Sequence, residues 1–293
     1  MQTIGFIGLG HMGNPMVKNF LKKNVCVRVY DIAHEAVKAL VNDGAIAATS
    51  PADAAKDADV VFTMLQTGEQ VKQACINERG IFSSINKNAL YIDSSSIDIG
   101  TSKTIHQEAL SRGIAMLDAP VSGGVAAATA GSLTMMVGGD ENHFQKAVPF
   151  LQAIGKKIIY AGKSGSGAAA KICNNMILGV SMIAVCEAFA LANKLELDPK
   201  KFFEIANNAS GQCWSLSHYC PWPNIIENVP ANNDYQPGFT ASMMLKDLNL
   251  SQNAAELVHA DTHLGKAARD LYQQFVEAGD ANTDFSGIIQ MLI

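Results

Sequence analysis

The chain has no C-x-x-C pair. Its six cysteines, Cys26, Cys75, Cys173, Cys186, Cys213 and Cys220, are scattered and share no metal-ligand spacing with the seven histidines. That pattern excludes a structural zinc module and a disulfide framework, and fits free thiols in a reducing compartment. No metal is expected. Charge is sparse as well, at 17% of 293 residues with a net of -5. Without a basic stripe to meet a phosphate backbone, nucleic acid is excluded as a partner. An unbroken apolar run of about 20 residues, the length that spans a bilayer, is also missing. The most apolar stretch, 176–192, is interrupted by Ser181 and Glu187 and reads as a buried helix, so no membrane partner is expected. The first apolar run starts within a few residues of the N-terminus, leaving no room for a secretory signal. The expected compartment is the cytoplasm, or the mitochondrial matrix if a transit peptide has been removed.

What is present is ordered. Hydrophobic residues reach 48%, enough for large cores, and the length suits two domains. Up to about residue 160, short apolar runs at 3–8, 25–30, 60–64, 90–93, 115–118, 133–138 and 157–160 alternate with amphipathic segments. Such alternation builds right-handed β-α-β units and a mainly parallel sheet. From 168 to about 194 one long helix rich in small residues follows, and the pattern beyond it is helical at 199–207, 242–259, 262–278 and 284–292. A proline- and asparagine-rich loop crosses 220–238. The expected fold is α/β: an N-terminal Rossmann-type doubly wound sheet over 1–163, then an all-helical C-terminal domain over 164–293, joined by a long inter-domain helix.

The first run ends in Gly8-Leu9-Gly10-His11-Met12-Gly13, a Gly-x-Gly-x-x-Gly turn between strand and helix. Gly8 permits the tight turn, Gly10 lets the backbone approach a pyrophosphate, and Gly13 lets helix and strand pack closely. The helix N-terminus adds amide donors and a positive dipole end. Alone, the glycine pattern is weak. It gains meaning from Asp31, which ends the second apolar run, where a carboxylate can bind the ribose hydroxyls and repel a 2'-phosphate. NAD is therefore expected rather than NADP. Asp31 could instead cap the next helix, and His11 reads as a loop residue within the turn.

Further clusters complete the set: Asp118-Ala119-Pro120-Val121-Ser122-Gly123-Gly124, Gly165-Ser166-Gly167 leading to Lys171 and Asn175, and Lys246-Asp247-Leu248. With the glycine turn, these motifs resemble, in order and over essentially the whole chain, those of the β-hydroxyacid dehydrogenase family. The segments around Gly211-Gln212-Cys213-Trp214-Ser215 and Pro230-Ala231-Asn232-Asn233 are similar to the branch that acts on 3-hydroxyisobutyrate. The resemblance implies a small hydroxy acid as substrate, a homodimer or homotetramer, and an active site in a cleft between the domains.

Alcohol oxidation needs a base near the hydroxyl. Lys171 is the candidate: a lysine at the start of an apolar helix is partly desolvated, which lowers its pKa. Asn175 shares its helical face at i, i+4 and can hold the substrate oxygen or orient the lysine. Ser122, Gly123 and Gly124 offer a hydroxyl and amides for a carboxylate, against the plain alternative of a turn after a strand. Leu65 and Gln66, after the third long strand, and Ser96, after the fourth, are placed for the cofactor. Gln66 stands where the family often has proline, and Ser96 where it often has threonine. Lys246 resembles a family lysine that closes over cofactor and substrate, with Asp247 fixing it. Neighbouring residues on a helix point apart, so a direct bond between that pair is not expected. Trp214 and Tyr219 read equally well as walls of the substrate pocket and as ordinary core aromatics. An NADP-dependent semialdehyde reductase and a non-catalytic dinucleotide-binding module remain the alternatives, the second disfavoured by the presence of Lys171.

Overall fold

The computed structural model describes residues 2–293. By contacts the chain divides into two compact units, one ending at Lys171 and the other running Ile172–Ile293.

The first unit is built on a nine-stranded sheet: β1 Thr3–Ile7, β2 Cys26–Tyr30, β3 Ile46–Ala47, β4 Val60–Thr63, β5 Leu90–Asp93, β6 Ala115–Asp118, β7 Val121–Ser122, β8 Leu133–Gly139 and β9 Gly155–Gly162. The parallel order β3-β2-β1-β4-β5-β6 is that of a dinucleotide-binding sheet, with its topological switch between β1 and β4. Beyond β6 the sheet is mixed, since β8 runs antiparallel to β6 and β7 and parallel to β9. Helices α1 Gly13–Lys22, α2 His34–Asn42, α3 Pro51–Ala55, α4 Gly68–Ile76, α5 Ile99–Ser111, α6 Gly124–Ala130 and α7 Glu141–Leu151 intervene.

Alternation along the strands explains the double winding. Phe6, Phe62 and Ile92 enter one core while Ile7, Val61 and Tyr91 enter another, because successive side chains leave a strand on opposite faces. Covered on both faces, β4 and β5 are buried throughout, which is why they read as continuous apolar runs. The rings of Phe6, Phe20 and Phe62 clasp α1 to the sheet, with Phe20 and Phe62 centroids 5.4 Å apart. Two short strands carry no legible pattern. Ile46 and Ala47 are exposed at an edge, and Val121–Ser122 spans two residues.

Helix α8, Ser166–Lys194, runs through the boundary between the units, and the second unit adds α9 Pro199–Asn207, α10 Trp214–Ser217, α11 Ala241–Leu257 and α12 His263–Phe275. Short 3-10 turns cover Pro230–Asn232 and Phe285–Met291. Small residues set the helix spacing. A Cβ on Gly179 of α8 would sit 3.0 Å from Leu248 of α11, and one on Gly265 of α12 would sit 2.8 Å from Gln252 and Met176. By length and composition α8 does meet the measure for a membrane-crossing helix, with a mean hydropathy of 1.8 in its best window. The interruptions at Ser181 and Glu187 are too few to lower that average. Half of the same window is buried within the protein, where Met182, Cys186 and Phe189 join the helical core.

Candidate active site

The glycine turn divides its labour as steric reasoning requires. Gly8 takes φ +96°, and a Cβ there would strike the Met64 carbonyl; a Cβ on Gly13 would strike the carbonyl of Gly8. At Gly10 nothing lies within 4 Å of that position, so the exposed backbone has room for a ligand. Helices α3, α4, α5 and α7 start under side-chain caps from Ser50, Thr67, Asp98 and Asp140, whereas α1 has no side-chain cap at Met12. An uncapped first turn facing open space is suited to a pyrophosphate. The residues therefore fit a dinucleotide. His11 is exposed in the turn, Met12 is half-buried and Leu9 is buried.

Asp31, at the end of β2, is half-buried. Its Oδ2 accepts the Leu9 amide at 2.6 Å and its Oδ1 the Ala33 amide at 2.8 Å. It is not the cap residue of α2, which is Ala33. Each oxygen keeps a second lone pair for a hydroxyl. The loops after β4 and β5 lie beside the turn at the carboxyl edge of the sheet. Leu65 is half-buried and its amide donates to Ser95 Oγ at 2.9 Å; exposed Gln66 donates its amide to Gln70 Oε1 at 3.0 Å; Ser96 is half-buried.

At the end of β7, Ser122 is half-buried and Gly123 and Gly124 are exposed at the start of α6, with positive φ at both glycines and no side-chain cap. Asp118, at the end of β6, anchors α8: its carboxylate accepts the Gly165 amide at 2.9 Å, the Ala168 amide at 2.8 Å and His106 Nε2 at 2.9 Å. Burial works against that charge, but the hydrogen bonds from His106, Ala168 and Gly165 outweigh it and hold the carboxyl below its ordinary range. Gly167 is obligatory here, because a Cβ would meet the Met136 and Asp118 carbonyls. Half-buried Lys171 projects from the helix so anchored.

In the second unit, buried Asn175 donates from Nδ2 to Asp247 Oδ2 at 2.5 Å and accepts from Asn174 at 3.0 Å. Lys246 Nζ lies 3.4 Å from Asp247 Oδ1. The pair expected not to meet does meet, since a four-carbon stem carries the ammonium back to a carboxylate that its own Cβ direction would miss. The Asp247 side chain is only 6% exposed, which makes it a support for Asn175 and Lys246. Trp214, 48% exposed, stacks on Tyr219 with centroids 5.2 Å apart. Tyr219 donates its hydroxyl to Asp284 Oδ2 at 2.9 Å, and burial, followed by the Asp284 charge, pushes that phenol well up. Asp284 was invisible in the sequence as a hub: it also accepts from Gly238, Phe239 and Ser286. The same holds for His106, whose link to Asp118 joins different elements. Among the described residues no cluster of three or more metal-ligating side chains occurs.

Comparison with known proteins matches this architecture. Residues 3–162 fit the family model for the NAD binding domain of 6-phosphogluconate dehydrogenase, and 165–292 the model for the NAD-binding region of NADP-dependent 3-hydroxyisobutyrate dehydrogenase. An NAD-dependent L-serine dehydrogenase from Pseudomonas aeruginosa is 44% identical over 100% of this chain and 98% of its own length. The human mitochondrial 3-hydroxyisobutyrate dehydrogenase is 43% identical, covering 99% and 86%. A solved structure of 3-hydroxyisobutyrate dehydrogenase from Mycobacterium tuberculosis with L-serine superposes with a TM-score of 0.94 at 42% identity, covering 100% and 99%. The chain belongs to the β-hydroxyacid dehydrogenase family and is an NAD-dependent oxidoreductase with a Rossmann-type sheet and a helical C-terminal part.

Proposed function

We propose that the protein reversibly oxidises a short 3-hydroxy acid, 3-hydroxyisobutyrate in the first instance, to its semialdehyde. The observation that carries this reading is the anchoring of Lys171 on α8 by Asp118. Gly8, Leu9, Gly10, His11, Met12 and Gly13 bind the pyrophosphate, Asp31 the adenosine ribose, and Leu65, Gln66, Ser96 and Lys246 the rest of the cofactor. NAD, when bound, supplies the hydride acceptor. Ser122, Gly123 and Gly124 hold the substrate carboxylate, and Lys171 takes the hydroxyl proton as the carbinol is oxidised. Asn175 orients the reacting oxygen, with Asp247 as its support, and Trp214 and Tyr219 bound the substrate. The division of labour is an NAD domain over 1–163 and a helical substrate and assembly domain over 164–293, in a homodimer or homotetramer of the cytoplasm or mitochondrial matrix.

L-serine is the second reading, favoured by the Pseudomonas relative's name. Both compounds carry a carboxylate and a 3-hydroxyl and differ at C2, methyl against ammonium. A pocket separates such a pair by whether it can pair the ammonium's donors. Initial rates with both substrates and both cofactors test the assignment. Wild type should favour NAD, and Lys171→Ala should lose roughly 10²-fold or more in kcat, the scale of general-base catalysis, with NAD affinity retained. NADH formation at the wild-type rate would remove Lys171 from the mechanism, and a clear NADP preference would overturn the role of Asp31.

A further inference from the structure

We infer that Asp93 is a positioning residue for the cofactor, fixing from beneath the two loops that carry Leu65 and Ser96. The inference rests on the reading of those two positions as cofactor contacts. Asp93 ends β5 and is 1% exposed. Its Oδ1 accepts from Thr63 Oγ1 at 2.8 Å and from the Ser95 amide at 3.0 Å. Ser95 then turns its own hydroxyl to accept the Leu65 amide at 2.9 Å. A short relay thus runs from one buried carboxylate to the backbone at both strand ends. Thr63 continues it inwards to the Tyr91 hydroxyl at 2.8 Å, which accepts from Cys75 Sγ at 3.1 Å.

Stability alone does not account for an acid here. A carboxylate removed from water costs free energy that hydrogen bonds from the amide and hydroxyl of Ser95 and the hydroxyl of Thr63 only partly return, and a neutral residue of the same shape would pack as well. What the charge adds is tighter, directional acceptance of the Ser95 amide and the Thr63 hydroxyl, which is useful where a loop must hold a fixed geometry. The charge is also conditional. Burial, opposed by bonds from Ser95 and Thr63 and reinforced by the Asp118 charge, pushes the Asp93 carboxyl up to about 6. Groups facing it are Tyr91 and Cys75, both driven up by burial and so neutral, and Asp118 with its partner His106.

The test is NAD affinity, measured by titration calorimetry from pH 5 to pH 7.5 on the full chain. Wild type should tighten about fivefold as Asp93 ionises, the difference between a charge-assisted and a neutral hydrogen bond. Asp93→Asn keeps the shape and one acceptor, so it should bind as wild type does at pH 5 and show no such rise. Ser95→Ala removes both the acceptor of the Leu65 amide and a hydroxyl that helps hold the Asp93 charge, so it should bind more weakly at pH 7.5 and show any remaining rise at higher pH than wild type. His106→Gln, which retains a donor to Asp118, controls for the contribution of that contact. A wild-type pH response in Asp93→Asn, or wild-type affinity in Ser95→Ala, overturns the inference. Ser96→Ala separates the two levels. If it weakens NAD binding while Asp93→Asn and Ser95→Ala do not, only the role of Asp93 falls; if it too binds NAD unchanged, the cofactor reading of these loops falls with it.

Discussion

Asp93 and Asp118 are register partners at the carboxyl ends of β5 and β6, yet their surroundings drive the two carboxyls in opposite directions. Both are buried. The difference lies in the kind of donor and the neighbouring charge: Asp118 receives two helix-start amides and an imidazole, while Asp93 receives one amide and the hydroxyls of Thr63 and Ser95 and sits beside the Asp118 charge. Environment, more than residue type, decides which of two acids keeps its charge.

Asp118→Asn should destabilise the protein, and the loss should depend on pH. Because the folded-state pKa of Asp118 lies below the ordinary aspartate value of 3.8, its charge contributes stability above about pH 4, and that contribution fades as pH falls towards the lower folded value. The substitution should cost about 1–3 kcal/mol at pH 7, the penalty for leaving buried polar groups unpaired. The gap between wild type and variant in melting curves should narrow below pH 4. A gap of constant size across that range would remove the charge from the account.

The glycines of the turn should separate folding from binding. Gly13→Ala places a methyl against the Gly8 carbonyl and should lower the melting temperature as well as NAD affinity. Gly10→Ala meets no protein atom within 4 Å, so its melting temperature should stay near wild type while NAD affinity falls at least tenfold. Calorimetric titration beside thermal melts checks both, and unchanged NAD affinity in Gly10→Ala would dissociate the turn from the cofactor.

Trp214 and Tyr219 stack on each other but answer to different neighbours. Trp214→Ala removes a ring that is 48% exposed and should raise the substrate KM several-fold with a stability change of at most about 1 kcal/mol. Tyr219→Phe keeps the stack but takes one donor from Asp284. It should cost about 1–2 kcal/mol in denaturant unfolding and leave KM close to wild type. The reverse pattern would exchange their roles.

The parallel strands of the sheet and the position of the glycine turn were legible because burial on both faces writes itself as apolar runs, as in Val60–Thr63 and Leu90–Asp93. Ile46–Ala47 was not, since an exposed two-residue edge strand leaves no periodicity. Among the site residues, local features could be read and distant partners could not. Asp118 was visible as part of a motif, but its bonds to residues 47 and 50 positions away exist only once β6 and α8 meet. The Lys246–Asp247 contact escaped because helical spacing describes where Cβ atoms point and ignores how far a lysine reaches. Asp93 looked like one more strand residue before a serine run, and nothing local announced that it holds two loops.

The Asp118 clamp bears on how the protein can be cut. A fragment ending ahead of Gly165 would keep all nine strands yet strand a buried carboxylate with His106 as its remaining donor and two amides lost. Truncations meant to isolate the sheet should therefore run past Ala168, and limited proteolysis between residues 163 and 168 should release a first unit less stable than its length suggests.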